Sequence, residues 1–60
     1  MTKRAIDAVF ESMFILTDLR VLLRETAPLH ELDPGQKGSA QSLLAELQGK
    51  VDLLKEELLS

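Results

Sequence analysis

The chain has 60 residues, a net charge of −3, no cysteine and a single histidine, with 45% apolar and 28% charged residues. That is one small domain without disulfides, too apolar to be a disordered chain. Its seven basic residues are too few and too scattered to make phosphate neutralisation its default business.

The most apolar stretch, Val9 to Leu23, is broken by Glu11, Asp18 and Arg20. No run reaches the roughly 18 to 20 uncharged residues that a membrane span needs. The basic opening, Met1 to Arg4, resembles the start of a secretory leader, but Asp7 and Glu11 fall where its apolar core should begin. We expect no targeting signal, no membrane partner and a cytoplasmic protein.

The first predicted element is a helix from about Lys3 to Thr26, capped by Thr2 and stopped by Pro28, because the residue before a proline is pushed out of helical geometry. Ile6, Val9, Met13, Leu16 and Leu23 recur at heptad spacing and form its main seam, with Arg20 in the slot of a core residue. A second seam runs beside it through Ala8, Ser12, Ile15, Leu19, Leu22 and Thr26. Two seams require two neighbours, and a hairpin supplies only one within the chain. The surplus is therefore expected to meet a second copy in a four-helix bundle.

The remaining face carries Lys3, Asp7, Phe10, Phe14, Asp18, Val21 and Glu25. Phe10 and Phe14, one turn apart, either widen the core at the edge of the bundle or anchor a partner that the acidic residues select as basic. Arg20 and Arg24 form a like-charge pair that calls for compensation. If the joint centres near Asp33, Arg20 comes level with Glu46, and a structural salt bridge is the first expectation for it, ahead of a functional arginine.

The joint, about 27–38, holds both prolines and all glycines except Gly49. Asp33-Pro34-Gly35-Gln36 reads as a helix start, with a cap, a proline at the first position and a glutamine three after the cap. Gly35 and Gly38 disfavour helix, and Ser39 offers a second cap. A short helical turn at 34–37 is expected either to run into the second helix, about 40–59, or to kink before it.

The second helix has an unbroken seam through Ala40, Leu44, Leu47, Val51, Leu54 and Leu58, flanked by Leu43, Leu53 and Leu59. Glu46 with Lys50 and Asp52 with Lys55 are spaced to pair on its surface. Gly49 suggests close approach to another helix. Glu56 and Glu57 oppose the macrodipole, so the last turn is expected to fray. The expected dimer core is Ile6, Val9, Met13, Leu16, Leu19, Leu23, Leu44, Leu47, Val51, Leu54 and Leu58. The candidate partner-binding residues are Phe10, Phe14, Asp18, Val21 and Glu25, with Arg20 and Arg24.

No catalytic constellation is visible. His30 has no cysteine partner, the serines at 12, 39, 42 and 60 fall at a helix surface, a cap, a first turn and a terminus, and Gly35 and Gly38 lack the Lys-Ser/Thr of a phosphate loop. His30, Glu31 and Asp33 are better explained as solvated joint residues than as metal ligands. We expect no enzyme, no cofactor, no metal and no small-molecule substrate.

A chain of this size that opens Met1-Thr2-Lys3 and joins two heptad-patterned helices through Leu29-His30-Glu31-Leu32-Asp33 resembles the plasmid Rop family of RNA-binding helical hairpins. The resemblance implies an antiparallel homodimeric four-helix bundle whose first helices form the RNA-contacting face, with Lys3 and Phe14 at positions suited to basic and aromatic contacts. The residues themselves rank a different activity first. The expected class is all-α, an antiparallel hairpin that dimerises and modulates an unidentified protein through the outer face of its first helix. Binding of structured RNA through Lys3, Arg4, Phe14 and Lys55 comes second, and an obligate helical subunit of a larger hetero-complex third.

Overall fold

A computed structural model of the chain describes residues 2–60. Met1, part of the opening considered above, lies outside the described residues. Two helices, α1 (Lys3–Glu25) and α2 (Pro34–Leu59), pack side by side and antiparallel in a rod of 40 × 16 × 13 Å. No strand occurs among the described residues.

The ends of both helices follow from local chemistry. Thr2 sits in extended backbone and its hydroxyl accepts the Ala5 N–H at 3.1 Å, which satisfies one of the orphan donors of the first turn. At the start of α2 the Asp33 carboxylate accepts the Gln36 N–H at 2.8 Å while the Gln36 amide oxygen accepts the Asp33 N–H at 2.9 Å. This reciprocal box, with Pro34 at the first helical position, starts the helix at once. α2 then runs unbroken through Gly35, Gly38 and Ser39, so the turn expected at 34–37 is its first turn and Ser39 caps nothing.

Residues 26–33 make the joint. The Thr26 hydroxyl donates to the carbonyls of Leu22 and Leu23, His30 N–H donates to the Thr26 carbonyl at 2.8 Å, and His30 Nδ1 lies 3.0 Å from the Leu23 oxygen. The contacts to the Leu23 and Thr26 oxygens occupy carbonyls that the helix end leaves without partners, while the Leu22 oxygen also accepts the Thr26 N–H at 3.2 Å. His30 enters the left-handed region, φ 55°, to make them, and the Ala27-Pro28 peptide is cis.

The intrachain core lies on one stripe of α1. Ala5, Ala8 and Ile15 are buried, and Ser12, Leu19, Leu22 and Thr26 are half-buried in line with them. Ser12 is tolerated there because its hydroxyl donates to the Ala8 carbonyl at 2.7 Å. Opposite stand the half-buried Gln36, Ala40, Leu43, Leu47, Lys50, Val51, Leu54 and Glu57. The seam of Ala8, Ser12, Ile15, Leu19 and Leu22 therefore faces the chain's own second helix, and the more hydrophobic seam of Ile6, Val9, Met13, Leu16 and Leu23 is the one left outside.

Candidate interaction surface

Two ion pairs bridge the helices on one flank of the rod: Arg4 with Glu57 at 3.2 Å, and Glu11 with Lys50. Both centre the hairpin between His30 and Glu31, ahead of the expected centre near Asp33. The difference corrects one pairing: Arg20 comes level with Gln41, Glu46 comes level with Ile15, and Arg20 and Arg24 take part in no ion pair among the described residues. The cause is the early start of α2, which moves every residue of that helix along the rod relative to α1.

The register also redirects the surface pairs of α2. Lys50 meets Glu11 across the hairpin rather than Glu46 four residues back, and Asp52 accepts from the Gln48 amide at 2.9 Å rather than pairing with Lys55. Gly49 does not mark a close approach within the hairpin, because a Cβ built there would meet nothing within 4 Å. α2 extends through Leu59, and Glu57 of its last turns pairs with Arg4.

The other flank is apolar. At about 100° per residue, and with the helices antiparallel, Val9, Leu16 and Leu23 of α1 emerge on the same side as Leu44, Val51 and Leu58 of α2. Leu16 and Leu44 are each 52% exposed, and Ile6, Val9, Met13, Leu23 and Leu58 are exposed as well. Val51 and Leu54 are half-buried and, with Leu58, Leu59 and the stem of Lys55, line a hollow of about 220 Å³. Near the joint the same flank opens into a wider groove of about 700 Å³ lined by His30, Glu31, Leu32, Lys37, Ala40, Gln41 and Leu44. Of the residues expected in a dimer core, Leu19, Leu47, Val51 and Leu54 are half-buried along the seam between α1 and α2.

Phe10 and Phe14 belong to neither seam. They stand on the outer ridge of α1 with Val21, at 56% and 70% exposure, and widen no core inside the hairpin. Phe14 borders a cleft of about 380 Å³ on the ion-paired flank, together with Glu11, Ile15, Asp18, Glu46 and Lys50. Thus Phe14 and Asp18 come together as the sequence suggests, while Glu46 joins them without any signal in the helix periodicity. Arg20 and Arg24 project on the opposite side of the ridge, toward the apolar flank. Lys3 pairs with Asp7 at 3.3 Å on the exposed surface.

Among the described residues no three metal-ligating side chains converge, and no helix is long and apolar enough to cross a membrane. Comparison of the chain with protein-family models, curated proteins and solved structures returns no match.

Proposed function

We propose that this protein is a non-enzymatic interaction protein: two copies join through the apolar flank into a four-helix bundle, and the outer ridge of α1, with Phe10, Phe14, Asp18, Val21 and Glu25, binds and modulates another protein. The observation that carries this reading is the division of the rod into an ion-paired flank and an apolar flank. Exposed leucines of both helices line up on the second flank, a contiguous apolar surface that monomers seldom leave open. A second copy covers it with the same residues, since a two-fold interface is self-complementary.

Sedimentation equilibrium of the purified chain tests the dimer. Twice the chain mass at micromolar concentration is expected, with Leu16→Glu reverting it to the monomer. A compact, stable monomer at and above that concentration overturns the reading. Alanine at Phe10 and Phe14 should then abolish partner capture and leave the dimer folded. Dimer collapse in that variant would place both rings in the bundle core, and tight, steeply salt-dependent binding of structured RNA would transfer the activity to nucleic acid.

A further inference from the structure

We infer that the cleft beside Phe14 receives a cationic side chain, lysine or arginine, carried by an amphipathic segment of the partner protein. This rests on the docking reading above and specifies the partner's chemistry.

The charge balance of the ion-paired flank carries the argument. Glu57 is matched by Arg4, Glu11 by Lys50, and Asp7 by Lys3. Asp18 and Glu46, which line one cleft from opposite helices, have no cation within ion-pair distance among the described residues. Lys50, the basic residue of the cleft, is already committed to Glu11. The early start of α2 is what delivers Glu46 to this place, so the carboxylate pair belongs to the fold and not to either helix alone.

Beside the two carboxylates the same cleft is lined by the Phe14 ring, 70% exposed, and by the buried Ile15. A long cationic side chain fits all of these groups at once. Its methylene stem covers the apolar surface while its head reaches the carboxylates and the negative face of the ring. A neutral or acidic segment would strip water from Asp18 and Glu46 and return nothing. A phosphate backbone would meet like charge at the same spot, which favours a protein partner over RNA.

The test titrates the full-length chain with two synthetic amphipathic helical peptides, leucine on one face and lysine on the other, or leucine and glutamate, by calorimetry. Binding of the lysine peptide and none of the glutamate peptide is expected. Asp18→Asn with Glu46→Gln should weaken it roughly fivefold, the scale of two exposed ion pairs. The control pair Asp52→Asn with Glu56→Gln removes the same charge elsewhere on α2 and should leave binding close to wild type. Phe14→Ala should weaken binding and Phe14→Leu should restore part of it, with circular dichroism reporting that each variant is folded.

Equal losses in the two double variants would mean unspecific attraction and overturn the inference, as would equal binding of both peptides or none of the lysine peptide. Loss in Phe10→Ala with no effect of Asp18→Asn and Glu46→Gln would remove the cation site while leaving the ridge as a docking surface. Failure of the dimer itself would be read separately, by sedimentation.

Discussion

The imidazole Nδ1 of His30 lies 3.0 Å from the carbonyl oxygen of Leu23, seven residues back, and joins the end of α1 to the chain that reverses it. A carbonyl can only accept, so Nδ1 carries the proton in this contact. Its backbone sits at φ 55°, where a side chain is disfavoured and glycine is not. His30→Ala should lower stability by about 1 kcal/mol through the lost hydrogen bond. His30→Gly should lose less than His30→Ala because it relieves the backbone, and urea unfolding of the three proteins checks the order.

Capping distinguishes the two serine and aspartate candidates at the second helix. Asp33→Ala breaks a reciprocal pair of hydrogen bonds and is expected to cost about 1 kcal/mol. Ser39→Ala, already inside the helix, should change stability by less than about 0.5 kcal/mol. Thermal melts of the two variants give the comparison.

Gly49 lies in the middle of α2 with open space where its side chain would be. Gly49→Ala should therefore stabilise the protein by roughly 0.5–1 kcal/mol, the ordinary gain from replacing glycine in a helix. Destabilisation, measured by the same melts, would reveal another helix pressed against that face in the assembled protein.

Ile15 and Leu16 are neighbours in sequence with opposite tasks. Ile15 is 6% exposed and Leu16 52%. Truncating Ile15 to alanine should cost about 2–4 kcal/mol wherever the chain is folded. Truncating Leu16 should act chiefly on association, so its effect on the melting temperature should fade at low protein concentration, where Ile15→Ala keeps its full penalty.

How much of this could be read from residues alone depended on how local the cause was. Thr2, Pro28 and the Asp33-Pro34-Gln36 box act within a few residues of themselves, and the helix ends fall where they say. Which of the two seams faces the chain's own second helix was not legible, because hydropathy ranks Ile6, Val9, Met13 and Leu16 above Ala5, Ala8 and Ser12. Close packing of two helices favours small residues at the contact, and the weaker stripe became the intrachain one. The expected pairing of Arg20 with Glu46 fails for a related reason. The capping box, given full weight over the glycine penalties, would have started α2 at Pro34 and moved Glu46 along the rod to the cleft beside Phe14. The exposure of the phenylalanine ridge follows from the same geometry, since both seams lie elsewhere on α1.

Both clasps between the rods, Arg4 to Glu57 and Glu11 to Lys50, lie toward the tips and away from the bend. Added electrolyte weakens such contacts but leaves the hydrogen-bonded bend intact. Rising ionic strength should thus splay the molecule from its free ends inward, like tweezers released at the points, and amide exchange should quicken first around Ala5 and Leu54 and last beside Leu22.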